Sequence, residues 1–316
     1  MKRLFVFLLI LSPALLFSQR DTAQVPDSLR HWHHGGAVAL NFTQASFTNW
    51  AAGGENSLAG QGQLGLFVGY KKDSTFSWDN SIDFAYGVQQ LGLKGILKKT
   101  DDKIDFTSKY NLNAFKRNWY YSALFNFKSQ FSPGYEYADD TAKTLISEFM
   151  SPAYTIMALG LDYKPGKKFS LFIAPLTIKT TFVLNQRLAD AGSFGVKKAE
   201  YDTAGHKIKD GQRIRNEFGG YVRIQYKTEI MKNVTLKTRF EFFTNYLENP
   251  QNIDFNGEVS LLMKVNKYIT ATLNMQGVYD NDVMISLDKN KDGIIDGTGP
   301  RFQFTEVLGI GFAAKF

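Results

Sequence analysis

Through most of this chain, apolar and polar residues alternate for about ten positions, break at a turn, and alternate again. Residues 235–246 show the pattern. Leu236, Phe240, Phe242 and Tyr246 share one parity with Thr238 and Thr244, while Lys237, Arg239 and Glu241 fall on the other with Thr235, Phe243 and Asn245. Successive side chains of a strand point to opposite faces, so the segment carries one greasy face and one charged face. Such segments recur along the chain and are rich in aromatics, which number 27 Phe and 15 Tyr overall. A transmembrane β-barrel has this signature, with an apolar exterior toward lipid and a polar lumen.

The beginning of the chain agrees. Met1, Lys2 and Arg3 precede an apolar run from Leu4 to Phe17, then Ser18 and Gln19. That order is a secretory signal peptide, with cleavage expected after Ser18. The run is shorter than the ~20 residues a helix needs to span a bilayer. Residues 19–35 read as a periplasmic leader, in which His31, His33, His34 and Asp27 are either metal ligands or a polar tail. Residues 36–316 read as one outer-membrane barrel domain. Cysteine is absent, which excludes a lipid-anchored cysteine, a disulfide framework and a thiolate metal site. The formal charge is +7, but basic residues are interleaved with acids and form no dense block, which argues against nucleic-acid binding.

About twelve antiparallel strands are expected, an even number as in single-chain bacterial barrels. The first spans Gly36 to Gln44, the fourth begins at Ile104, and the last runs from Arg301 to Phe316. The seventh, Phe169 to Thr180, alternates poorly, and its Pro175 predicts a bulge. Short connections at 71–74, 116–118, 164–167, 229–232 and 266–267 alternate with mostly longer ones at 45–57, 89–103, 132–152, 181–216, 247–252 and 281–300. Short periplasmic turns and long extracellular loops produce such sorting. The final Phe316, with Phe312, Ile310 and Leu308 at even spacing, is similar to the signal read by the barrel-insertion machinery, which is therefore an expected partner beside outer-membrane lipid.

Candidate chemistry is sparse. The inward parity carries Lys109, Lys128, Arg223, Lys237, Arg239, Glu241 and Glu258, which could line a path for a small polar solute or pair with one another across a filled lumen. Asp288, Asn290, Asp292 and Asp296, with Gly293, match the start of a calcium loop, a possible Ca2+ site. The bidentate Glu of the full pattern is replaced by Gly299. No cofactor is required by this reading. His206, with Asp202 and Asp210 nearby, is the one pairing from which an outer-membrane hydrolase or acyltransferase could be imagined; a solvated loop is the other reading.

The segment Asn41-Phe42-Thr43-Gln44-Ala45-Ser46-Phe47-Thr48-Asn49-Trp50-Ala51-Ala52-Gly53-Gly54-Glu55-Asn56 resembles the N-terminal signature of an uncharacterised outer-membrane β-barrel family of Gram-negative bacteria, a domain of unknown function. The resemblance extends to Phe316 and implies a barrel in the outer membrane, not an activity. Within it, Asn49, Trp50, Glu55 and Asn56 could hold a polar ligand or be plain loop architecture. The functional expectation is a non-enzymatic barrel: a narrow channel, a solute-transport barrel or an envelope structural protein. The alternatives are the His206 enzyme and a surface ligand-binding barrel with a calcium-stabilised loop.

Overall fold

The computed structural model describes residues 31–46, 56–72, 75–92, 95–137, 143–266, 269–287 and 296–316. Residues from Trp32 to Phe316 form one compact unit. Among the described residues, twelve strands build its wall: β1 (Trp32–Ala45), β2 (Ser57–Lys72), β3 (Phe76–Leu91), β4 (Leu97–Asn113), β5 (Trp119–Ser129), β6 (Ala153–Tyr163), β7 (Phe169–Phe182), β8 (Ile214–Met231), β9 (Val234–Asn245), β10 (Ile253–Lys264), β11 (Ile269–Tyr279) and β12 (Gln303–Lys315). Each strand pairs antiparallel with its sequence neighbours, and β1 pairs with β12, so the sheet closes into a barrel. Closure removes every edge, which is what a sheet in hydrocarbon requires.

The seam of the barrel is short and specific. β12 meets β1 from Ala37↔Lys315 to Asn41↔Gly311. Two further bonds extend it: the Gly36 N–H donates to the Phe316 carbonyl at 2.9 Å, and the Phe316 N–H to the Gly36 carbonyl at 3.1 Å. A Cβ on Gly36 would sit 2.5 Å from Cζ of the Phe316 ring, so the glycine is what lets that terminal ring lie on the seam.

The sidedness of the wall is inverted relative to a soluble protein. Asp105, Asp162, Glu217, Arg223 and Glu241 are buried, whereas Phe42, Met157, Leu308, Ile310 and Phe312 stand more than half exposed. Charged groups almost never occupy the inside of a soluble fold while its large apolar side chains face outward. A lipid-facing exterior and a polar lumen account for both sets together. Aromatic rings run across β1 to β4 at the short-turn end: Trp32–Tyr70, Tyr70–Phe76 and Phe76–Tyr110 lie 4.9, 5.4 and 5.7 Å apart. Aromatics concentrate at membrane–water boundaries because they present an apolar body and a polar edge.

Connections sort by end. Those after β2, β4, β6, β8 and β10 have two to five residues, while those at the other end have five to 31. Asn118 and Asn233 adopt positive φ (70° and 66°) in two of the tight turns, a conformation asparagine tolerates. The long-loop end carries the hairpins Gly134–Tyr137 with Lys143–Ser147, Glu200–Tyr201 with Lys207–Lys209, and Ile285–Leu287 with Gly297–Gly299. It also carries the one-turn helix α1 (Gln186–Asp190), capped by the Asn185 side chain.

Two strand starts differ most from the sequence reading. β1 starts at Trp32, so His33 and His34 sit in the wall, paired with Gly69 and Val68, instead of in a leader. β4 starts at Leu97, seven residues before Ile104, which leaves only five residues to connect it to β3. Its extra segment, Lys98-Lys99-Thr100-Asp101-Asp102-Lys103, has no apolar alternation to read, and a register shift at Gly87/Val88 breaks the pairing there. In β7, the expected bulge is present. Leu159↔Leu176 is followed by Leu161↔Ile173, so the β7 side gains a residue around Pro175. Phe172 and Ala174 are buried before the bulge and Thr177, Lys179 and Thr181 after it, so the inward parity changes from even to odd.

Candidate functional site

The lumen is divided lengthwise. One part is filled by side chains of β4 to β10, and the other is a cavity of about 1730 Å³ bounded largely by β1 to β4 and β8 to β12. The filled part begins with an apolar cluster on the inner wall: Leu124, Ala158, Phe172, Ala174, Tyr221 and Phe243. Cations lie over its rings, Lys109 Nζ 4.4 Å from the Phe172 centroid and Lys179 Nζ 5.2 Å from that of Phe243.

Ion pairs then cross the interior. Lys103 of β4 reaches Glu258 of β10 at 3.0 Å. β4 and β10 are six strands apart around a twelve-strand ring, so this pair spans the diameter. Arg239 of β9 sits 2.7 Å from both Glu258 and Asp105. Asp105 also accepts from Asn126 at 2.7 Å. Glu241 is a second hub: Lys128 approaches one oxygen at 2.7 Å, and the Tyr221 hydroxyl donates to the other at 2.7 Å. Arg223 Nε donates to that hydroxyl at 2.8 Å, while Nη2 lies 2.6 Å from Glu241 Oε1 as an ion pair off the hydrogen-bonding axis. Buried charges persist only when paired and hydrogen-bonded in this manner.

Nearer the long-loop end, Lys179 gathers three carboxylates: Asp254 at 2.6 Å, Asp280 at 3.2 Å and Glu217 at 3.6 Å. Arg215 ties Glu217 to Asp282 and also donates to the Gly195 carbonyl, which links the wall to the 183–213 loop. That loop has its own apolar kernel of Val183, Leu188, Ala189 and Val196.

The cavity beside this partition runs nearly the length of the wall. Its lining includes Lys264 and Lys315, the last residues of β10 and β12, at the short-turn end. It also includes Gln61, Thr100 and Thr305, each within the first five residues of its strand at the long-loop end. Amides and hydroxyls such as Gln63, Thr272, Asn274 and Gln276 belong to its lining.

The structure brings six of the seven charged residues singled out in the sequence into the partition: Lys109, Lys128, Arg223, Arg239, Glu241 and Glu258. Lys237 instead lines the cavity. Sequence reasoning missed Lys103, Asp162, Lys179, Arg215, Asp280 and Asp282. Asp162, buried and 2.6 Å from Lys109, shares the parity of Ala158 and was readable from alternation. Lys179 was hidden by the β7 bulge. Asp280 and Asp282 lie just past a strand end, where alternation stops.

Asn49, Trp50, Glu55, Asp288, Asn290 and Asp292 lie outside the described residues. Asn56 accepts a bond from the Gly92 N–H at 2.7 Å through its carbonyl, and the Asp296 N–H donates to the Leu287 carbonyl at 2.7 Å. Among the described residues, no three His, Asp or Glu side chains are grouped as a metal site. His206 lies at a hairpin tip, mostly exposed, with Nδ1 3.3 Å from Asp202. Asp210 is engaged elsewhere, 2.6 Å from Lys207. Hydrogen bonds from Lys207, Gln186 and the Gly211 N–H hold the Asp190 carboxyl at about 2, and Asp190 with Asp210 pushes the Lys207 ammonium up.

Two family models match parts of the chain, each described as a protein of unknown function: DUF3078 over residues 42–135 and DUF481 over residues 186–292. No curated relative matches. The structure is similar to the outer membrane channel COG4313 from Pseudomonas putida F1 (10% identity, 93% of this chain and 100% of that one, TM-score 0.38). It is also similar to the translocator domain of the autotransporter NalP from Neisseria meningitidis (9%, 89% and 87%, 0.36). A third similarity is to the outer membrane protease OmpT from Escherichia coli (8%, 90% and 96%, 0.23). At these scores the comparisons add nothing to what the strand order already establishes.

Proposed function

We propose that the chain is exported by its first 18 residues, inserted into the outer membrane through the strand ending at Phe316, and works there as a narrow channel for small polar solutes. The short-turn end then faces the periplasm. The observation that carries this reading is the off-axis cavity. It extends from the short-turn mouth to within five residues of the long-loop ends of β2, β4 and β12, and charged, amide and hydroxyl side chains are interspersed along its lining. The partition of Lys103, Glu258, Arg239 and Asp105 narrows the lumen to this one side. A barrel serving only as a wall would gain more from filling both sides with apolar side chains, because buried ion pairs add little net stability.

Planar-bilayer recording of the purified full chain tests the reading. Discrete conductance steps are expected from the wild type, and larger steps from a Lys103→Ala, Arg239→Ala double variant that keeps its heat-modifiable mobility on gels. A silent membrane for both proteins removes the channel.

A further inference from the structure

The short-turn mouth of the cavity is strongly basic. Ten lysine and arginine side chains line the cavity against four carboxylates. Several of the cations are already paired in the partition or by Asp162, as Lys103, Arg239 and Lys164 are. Lys227, Lys237, Lys264 and Lys315 differ. All four lie on the inward parity of β8, β9, β10 and β12, line the cavity, and are exposed to it. Among the described residues, none of the four has a carboxylate within ion-pairing distance.

Their placement is costly. Lys227 and Lys237 stand directly opposite each other on adjacent strands. Like charges in that register repel. Lys237 also lies in electrostatic range of Lys315, and Lys315 in range of Lys264 and Lys227. Lys237 is in range of Asp83 on β3, which also feels Lys103, Arg239 and Asp105, and so does not neutralise four cations. Asp79, also in the cavity lining on β3, is approached by His33 at 3.8 Å and receives bonds from Ser77 and Asn111. The 164–168 turn adds Lys167 and Lys168 to the cavity lining, and its Lys168 carbonyl accepts the Lys227 N–H at 2.8 Å.

We infer that Lys227, Lys237, Lys264 and Lys315 form a binding site for a soluble multivalent anion of the phosphate class, entered from the short-turn mouth. Primary ammonium groups on flexible stems suit phosphate oxygens as converging point charges. Because the four point into the lumen, a dissolved ligand reaches them and a headgroup anchored in the surrounding lipid does not. This site rests on the channel reading for its place in transport, but binding itself needs only an open mouth.

Isothermal titration of the full chain with inorganic tripolyphosphate tests it. Saturable binding that weakens as salt rises is expected. The Lys227→Gln, Lys237→Gln variant should bind at least about tenfold more weakly, as loss of charged hydrogen bonds implies. Lys264→Gln with Lys315→Gln serves as a second pair should the first fail to fold. A Lys207→Gln, Lys209→Gln control in the long-loop hairpin should bind as the wild type does. Absence of saturable binding, or equal affinity in wild type and both lumen variants, overturns the site. Repeating the titration in phosphatidylcholine and phosphatidylglycerol nanodiscs should give the same affinity, and a loss confined to phosphatidylglycerol overturns the soluble source. Binding without conductance would remove the channel and keep the site, whereas conductance without binding would do the reverse.

Discussion

Lys179 is the most exacting test of the filled half of the lumen. Its ammonium lies 2.6, 3.2 and 3.6 Å from Asp254, Asp280 and Glu217, and its side chain is 10% exposed. At an effective dielectric of about 20, attractions at those separations are worth about 6, 5 and 5 kcal/mol. Desolvation of four ions and repulsion among the three carboxylates offset most of this. Replacing Lys179 by Met keeps much of the packing and leaves three acids with no central cation, so the net cost should fall near the roughly 3–5 kcal/mol seen when one partner of a buried pair is removed. The carboxylates should also couple. Adding Asp254→Asn to Lys179→Met relieves one repulsion and should recover roughly 1–2 kcal/mol, a coupling within the range seen for groups in one network. Urea unfolding of the detergent-solubilised barrel, followed by tryptophan fluorescence, reads both effects. The midpoint should fall by roughly 1–3 M for Lys179→Met and rise again in the double variant. A Lys179→Met midpoint equal to that of the wild type, or strictly additive effects, would refute the view that this lysine holds the acids in place.

Two further expectations concern the seam and the long-loop end. Gly36→Val drives a side chain into the Phe316 ring, so the fraction of barrel reaching the heat-modifiable folded form should drop by about tenfold or more, and Phe316→Ala in the same chain should restore part of it. Asp190 has a folded-state pKa depressed from 3.8 to about 2, so its support of the 183–213 loop is present above about pH 4 and lost as pH falls through about 2. Amide hydrogen exchange around Gly211 should therefore accelerate over that window in the wild type and be already fast at pH 5 in Asp190→Ala.

Much of the wall was legible because parity is a strong signal wherever one face meets lipid and the other meets charge. β6 and β10 begin at Ala153 and Ile253, directly after the connections expected at 132–152 and 247–252, and β7 bends at the expected proline. Legibility failed where that contrast disappears. The start of β4 is charged on both faces, and the first turn-side residues of β1 include His33, His34, Gly35 and Gly36, whose role is set by the neighbouring register and the terminal Phe316 ring. The charged residues of β9, Arg239 and Glu241, were readable as inward-facing, but which carboxylate each cation meets depends on strands far apart in sequence. Nothing local joins Lys103 to Glu258, 155 positions away. Loop acids such as Asp282 enter the network only through the fold of the segments above the wall.

The closed hydrogen-bonded wall has a mechanical corollary. A cylinder whose strands are all partnered cannot stretch by parting two of them without exposing backbone to hydrocarbon, which costs several kcal/mol for each group left bare. The free width of the lumen is therefore not a matter of strand number. It is set by where a few long side chains, Arg239 and Lys103 foremost, swing and come to rest.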